Sequence, residues 1–342
     1  MRRLPLLVLL FLSPTIGVLA QTLTITSVGD IMLGTDFPED RLPPNDGVTF
    51  LGTVAPVLRA ADITIGNLEG VLMAGGTPTK TCSNPEACFL FRSPPHYTAY
   101  LRDAGFDALS LANNHARDFG EEGRTASMAA LDSYGLRHSG RRGDIASWVQ
   151  DGLTVAFIAF SPTIKSYLLN DIPTAQQEVL ELAATHDIVI ASFHGGAEGQ
   201  TATTLPFEEE FYFSETRGEV VRFSHTIIEA GADLVIGHGP HVPRALELYE
   251  GRLIAYSLGN FATHWGVSVN AIAGWAPILT VEVDREGVFL NGRIDSALQT
   301  RPNGPVWDPD QQAYKLIREL TEETFGPSIL LFQDDGTFLA AE

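Results

Sequence analysis

The stretch Leu23-Thr24-Ile25-Thr26-Ser27-Val28-Gly29-Asp30-Ile31-Met32-Leu33-Gly34 decides the fold, because a β-branched apolar run stops there on a glycine and an acid. Such a run favours a strand, and the Gly-Asp pair marks its end. The same pattern recurs along the chain. Asp62–Ile65 leads into Gly66-Asn67-Leu68-Glu69-Gly70, Ala108–Ala112 into Asn113-Asn114-His115, and Ile188–Phe193 into His194-Gly195-Gly196. Leu234–Ile236 leads into Gly237-His238-Gly239-Pro240-His241, and Leu253–Leu258 into Gly259-Asn260-Phe261. Leu153–Phe160, Ile278–Val283 and Val288–Ile294 read as further strands, the last two as a hairpin around Asp284–Gly287.

Helical spacing of apolar residues predicts helices over Phe50–Ala60, His96–Ala104, Gly123–Tyr134, Thr174–Thr185, Gly218–Ala230 and Gln311–Glu323. Gly105, Gly135 and Gly231 follow three of them, where a left-handed terminal residue is needed. Strand and helix alternate from Leu23 to Leu258, which predicts an α/β architecture with helix-covered sheets.

Strand ends of an α/β sheet converge on one edge, and ligands bind there. The six tips therefore predict one site built from two carboxylates, three or four imidazoles and several amides, the donor set of a first-row divalent cation. Each residue alone has an ordinary reading as a cap, a turn former or a satisfied polar group; their joint placement carries the inference. His96, His138, His186 and His225 stand apart from the tips, and His264 is left open between lining the pocket and packing elsewhere.

The chain has 342 residues, with 22 Lys+Arg against 42 Asp+Glu, a formal charge of −20. That balance excludes a nucleic-acid-binding role, which depends on clustered cations. An anionic ligand would need local positive charge, from a metal or from arginine. Arg92, Arg117 and Arg244 lie near the motifs and read either as anion clamps or as ordinary ion pairs.

Arg2-Arg3, the apolar run Leu4–Leu12 and the small residues of Val18-Leu19-Ala20 predict a cleaved signal peptide over residues 1–20. The mature chain is then expected to be secreted or periplasmic, in contact with the cell envelope. Its only cysteines, Cys82 and Cys88, are expected to form a disulfide that pins a surface loop.

Taken in order, Gly29-Asp30-Ile31-Met32-Leu33, Asn67-Leu68-Glu69-Gly70, Ala112-Asn113-Asn114-His115 with Asp118 and Gly120, His194-Gly195, Gly237-His238-Gly239-Pro240-His241 and Ser257-Leu258-Gly259-Asn260-Phe261 resemble the CapA family. That family is linked to capsule and poly-γ-glutamate synthesis and is similar to the calcineurin-like metallophosphoesterases. The resemblance runs from about Thr22 to Val283. It implies a four-layer αββα sandwich, with a CapA-like domain over residues 21–300 and a C-terminal extension over 301–342 packing on it. Carried over by position, it implies Asp30, Glu69, Asn114, His194, His238 and His241 as metal ligands, with Glu69 bridging, and His115 as a catalytic histidine that assists the leaving group. The cofactor implied is one or two divalent ions, Mn, Zn, Fe or Mg. Met32 stands where the phosphoesterase pattern has a histidine, which leaves a single tightly held ion as the fallback.

Three readings follow. The first is an exported metal-dependent hydrolase or transferase acting on an anionic polymer such as poly-γ-glutamate, or on a phosphoester, alongside membrane-bound synthase components. The second is a non-catalytic polymer-binding or export component with a degenerate metal site. The third is a plain secreted binding domain, which would leave the six tips scattered.

Overall fold

A computed structural model describes residues 22–80 and 88–341. The expected signal peptide and Cys82, one half of the expected disulfide, lie outside the described residues. Among the described residues no helix is long and apolar enough to cross a membrane.

Two sheets stack face to face. The first, of ten strands, runs in the order Leu330–Phe332, Thr337–Ala340, Phe289–Thr300, Trp275–Val283, Leu23–Met32, Ile63–Leu68, Ala108–Ser110 and Arg137–Ser139. Asn260–Thr263 also pairs with Leu23–Met32, and Gly304–Trp307 with Phe289–Thr300. The second, of seven strands, runs Leu246–Tyr249, Arg252–Ala255, Leu234–His238, Ile188–His194, Leu153–Ser161 and Ala146–Gln150, with Tyr167–Leu168 beside Leu153–Ser161.

The layering follows from strand periodicity, since successive side chains point to opposite faces. Ile188 and Ile190 enter the space between the sheets with Ile25, Ile63 and Phe157. Val189 and Ala191 face outward, against Val179 of the helix Ile172–Ala183 and Phe223 of the helix Val220–Glu229. Val28 and Ile31 face the opposite outer layer, with Leu101 of Tyr97–Ala104 and Leu131 of Gly120–Ser133. Burial on both faces explains why the central strands read as continuous apolar runs. The α/β four-layer arrangement expected from the sequence is the one observed. The helix Gln312–Phe325 sends Tyr314 and Ile317 into the layer between the sheets, so residues beyond 300 fill core as well as extending the first sheet.

Two elements differ from the sequence reading. The helix expected over Phe50–Ala60 contracts to Ala55–Leu58, preceded by tight i to i−3 turns such as Phe50 N–H to the Gly47 carbonyl and Val54 N–H to the Leu51 carbonyl. The strand expected over Leu253–Leu258 ends at Ala255. The chain then leaves the second sheet, and Asn260 opens a strand parallel to Leu23–Met32 in the first. This crossing passes directly over Gly29, where a Cβ would stand 2.0 Å from the Gly259 carbonyl oxygen. Only glycine permits such an approach.

Gly29→Ala is therefore expected to destabilise the protein by about 1–3 kcal/mol, the usual cost of overpacking, read as a lowered denaturation midpoint. A second expectation concerns His138, whose Nδ1 lies 2.8 Å from Asp144 Oδ2. Burial works against its charged form, but the hydrogen bond and charge of Asp144 outweigh it and raise its pKa above the usual 6.5. A raised pKa stabilises fully below 6.5, and that contribution is lost as pH climbs through the folded value. Tm measured upward from pH 6.5 should fall less steeply in His138→Gln than in the parent.

Candidate metal centre

The site forms where the C-terminal ends of both sheets meet. In the first sheet a register irregularity in Leu23–Met32 sets Asp30 opposite Asn67 on one side and Asn260 on the other. The Asp30 amide donates to the Gly259 carbonyl at 2.9 Å, and the Glu69 amide to the Ile31 carbonyl at 2.9 Å. In the second sheet His194 and His238 are register partners on adjacent parallel strands. His241 follows on a loop with φ of 61°, a conformation uncommon for a residue with a side chain and one that recurs at functional sites.

These backbones bring ligating atoms of Asp30, Glu69 and His241 within 4.8 Å of one another. His241 Nδ1 lies 2.9 Å from Asp30 Oδ2 and 3.0 Å from Asn260 Oδ1. The Asn260 amide donates to the carbonyls of His241, Ser268 and Ala273, so its oxygen faces the ring and His241 Nδ1 is the donor. His238 Nδ1 lies 3.6 Å from Asp30 Oδ1, and His194 Nδ1 3.7 Å from Glu69 Oε1. Asn67 ties the two sheets together. Its Nδ2 donates to Asp30 Oδ1 at 2.8 Å and lies 3.4 Å from His194 Nδ1, while its Oδ1 accepts from Asn113 at 3.0 Å. Asn114 lines a cavity with His194 and a second one with His115 and His241. All six residues singled out as ligands thus gather at one place.

Burial makes the electrostatics severe. Asp30, Glu69, His194 and His238 are almost fully buried. Both Glu69 oxygens, Asn114 Oδ1, His194 Nε2 and His238 Nδ1 are buried with no hydrogen-bond partner among the described residues. Orphaned donor and acceptor atoms converging in one spot are costly unless an ion satisfies them. Burial and the Asp30 charge push the Glu69 carboxyl up to about 8. Burial also works to raise Asp30, but the hydrogen bond and charge of His241 hold it below the ordinary range. His241 is raised to about 10, because Glu69 and Asp30 outweigh its burial. Burial lowers His238 to about 4 and, with the Arg217 charge, takes His194 well below its usual value, so both rings are neutral, as metal ligation requires. Metal-free, the cluster keeps positive charge as protons in the place a divalent cation would take, and the donor set fits one.

His115 stands beside the cluster. Its Nδ1 lies 2.8 Å from Asp118 Oδ2 and 3.3 Å from Lys80 Nζ, and its ring stacks on Phe91 at 4.1 Å. Asp118 accepts the Phe91 amide at 2.8 Å, which fixes the carboxylate.

The readings left open take one side. Arg92 is engaged by Asp36 and the Gly75 carbonyl, Arg117 pairs with Glu121, and Arg244 is held by both Glu210 oxygens and the Ala202 carbonyl, so all three make ion pairs within the fold. His264 packs edge-on against Phe50 and its amide donates to the Met32 carbonyl, which assigns it to the fold. Met32, where an imidazole is missing, is buried and its sulfur accepts the Gly34 amide at 3.2 Å. The sequence reading passed over Lys80, Glu198 and Arg217. Glu198 Oε2 lies 3.9 Å from His241 Nε2, and its Oε1 2.8 Å from Arg217 Nη1. The available signal was weak: Glu198 follows His194 by four residues in a glycine-rich turn, and Arg217 precedes Gly218.

The family model for bacterial capsule synthesis protein, PGA_cap, matches residues 24–264, a span that holds every residue of the cluster. The chain belongs to the PGA_cap family. The PGA biosynthesis protein CapA of Bacillus subtilis is 27% identical over 261 residues, covering 71% of this chain and 64% of that protein. The capsule biosynthesis protein CapA of Bacillus anthracis is 27% identical over 260 residues, covering 72% and 61%. The matches to this PGA_cap chain span under two thirds of these relatives' lengths. Among solved structures, the calcineurin-like phosphoesterase YfkN of Bacillus subtilis aligns with a TM-score of 0.47 at 13% identity, over 87% of this chain and 96% of that one. The 5'-nucleotidase precursor of Thermus thermophilus aligns with a TM-score of 0.44 at 15% identity, over 88% and 58%.

Because Asn67 orients both Asp30 and His194, Asn67→Ala is expected to lower Mn²⁺ affinity about 10–100-fold, the usual cost of losing an orienting partner. Isothermal titration measures the loss, and an unchanged far-UV spectrum shows that the fold survives.

Proposed function

We propose that this chain is an exported, metal-dependent hydrolase or transferase acting on an anionic polymer of the poly-γ-glutamate type. The observation that carries the reading is the Asp30–Glu69–His241 cluster, with Glu69 and the neighbouring His194, His238 and Asn114 each burying a polar atom that has no hydrogen-bond partner among the described residues. The capsule-synthesis family of the chain and the names of its CapA relatives support the polymer; the leader-like first twenty residues support export, with 21–300 as the working domain and 301–342 as its extension.

Asp30, Glu69 and His241 would hold one ion, with His238 beside Asp30, His194 beside Glu69 and Asn114 in the cavity His194 lines as the further donors. A divalent cation held by these residues would lower the pKa of water from ~15.7 toward ~7 and would polarise the bond under attack. His115 handles the proton. Burial, reinforced by the Lys80 charge, lowers its pKa against the opposing pull of Asp118, so the resting ring is neutral. With Nδ1 donating to Asp118, Nε2 is the nitrogen left to take a proton from the attacking group and return it to the leaving group. Asp118 steadies the imidazolium in between. Phe91, stacked on the ring, keeps it from rotating out of line.

A second reading keeps the polymer and drops the chemistry. Met32 favours it, because a thioether occupies the place of an imidazole and one half-site is weakened. Elemental analysis and turnover separate the two. Reconstituted protein should carry one or two ions per chain, and Asp30→Ala and His238→Ala should lose them. His115→Gln should keep the metal and lose about 10²–10⁴-fold in cleavage of poly-γ-glutamate or a model phosphoester. Absence of metal after reconstitution overturns the enzyme reading and favours polymer binding. Full metal with no turnover on either substrate transfers the case to polymer binding.

A further inference from the structure

The two cavities that meet at Asn114 differ in chemistry. The smaller, about 230 Å³, carries Phe89, Phe91 and Tyr212 beside His115 and His241. The larger, about 450 Å³, carries Lys80, Arg217, Thr163 and Asn170 beside His194. Glu215 lines the same cavity with its carboxylate 3.9 Å from Arg217 Nη1, so in a chain of net charge −20 the two cations stand among carboxylates, and what they offer a ligand is the donor capacity those pairs leave unmet.

Neither cation is fully used by the fold. Arg217 is 1% exposed. Its Nη1 pairs with Glu198 Oε1 at 2.8 Å, while Nε and Nη2 are buried with no hydrogen-bond partner among the described residues. A guanidinium carries five donors in a fixed fork that matches a carboxylate or phosphate, so leaving two of them unmet inside the protein marks a place for an oxyanion. Lys80 is one-quarter exposed, with Nζ 3.1 Å from Asp118 Oδ1 and 3.3 Å from His115 Nδ1. Its ammonium has three donors and, among the described residues, contacts one carboxylate. Arg244, equally buried, has its guanidinium met by both Glu210 oxygens and the Ala202 carbonyl.

We propose that Arg217 and Lys80 clamp an oxyanion of the substrate in the larger cavity, gripping a carboxylate next to the bond presented to the metal cluster. The clamp rests on the reading that the site takes an anionic chain. A γ-linked glutamate chain carries one free α-carboxylate per residue, so a grip on one of them would set the register of its neighbouring amide. A phosphate group would satisfy the same donors.

A fluorescein-labelled short γ-linked glutamate oligomer and its α-amidated, uncharged counterpart distinguish these possibilities by anisotropy at low salt with Mn²⁺ present. The parent should bind the charged oligomer at least about tenfold more tightly than the amidated one. Lys80→Met and Arg217→Gln should lose about that factor for the charged oligomer and leave the amidated one unchanged, with Lys80→Arg restoring the preference. Equal binding of the charged oligomer by parent and both variants overturns the clamp and leaves the polymer reading standing. Should the parent bind no oligomer, the polymer reading falls, and inorganic phosphate decides the clamp. A rise in Tm with phosphate in the parent and not in Lys80→Met upholds it, and no rise refutes it. Lys80, at the cavity rim, keeps the test valid if Arg217→Gln fails to fold with Glu198 left unpaired.

Discussion

Two carboxylates, Asp30 and Glu69, are buried together at the ends of neighbouring strands, and they can share that position only with positive charge beside them. His241 supplies it as a proton on its ring, held between Asp30 and Asn260. The rest of the arrangement serves this constraint. Gly29 allows the chain to cross from the second sheet to the first, which puts Asn260 against His241. Asn67 and Asn113 lock the Asp30 carboxylate in place and reach across to His194. A fold that buries such a cluster accepts a cost in stability that packing elsewhere must offset, which points to chemistry and not to architecture.

The same logic separates the histidines and arginines that work for the fold from those left for a ligand. His138 sits between Asp132 and Asp144, and His225 stacks flat on Tyr249 at 3.8 Å while bonding Glu247. Both nitrogens of His138 and Nε2 of His225 meet carboxylates at hydrogen-bond distance. Nε2 of His194 and Nδ1 of His238 are buried with no hydrogen-bond partner among the described residues. Arg244 is as buried as Arg217, yet a bidentate pair with Glu210 satisfies it. Burial alone therefore tells nothing about function; unmet hydrogen-bonding capacity inside the site does.

Much of the fold was legible because its central strands are buried on both faces and most of those that reach the site end on glycine with a polar residue. The run 188–193 and the tip at His194 could be read directly from that pattern. The run 253–258 could not, since periodicity cannot tell which sheet a segment joins, and the change of sheet at Gly259 depends on a contact with Gly29, 230 residues away in the chain. Phe50–Ala60 reads as a longer helix than the Ala55–Leu58 that forms, because apolar spacing is shared by helices and by successive tight turns. Arg92, Arg117 and Arg244 read equally as clamps or ion pairs, because their carboxylate partners come from elsewhere in the fold or from the next helical turn and no local pattern reveals a partner.

By itself the sequence determined the α/β alternation, the strand ends that carry acid, imidazole and amide, and the family, because each depends on residue type and short-range order. Only the tertiary structure decided which donors share one buried space, which lack partners, and which cations remain beside them. Those properties arise from distances between segments far apart in the chain, and the energy of a charge depends on what surrounds it.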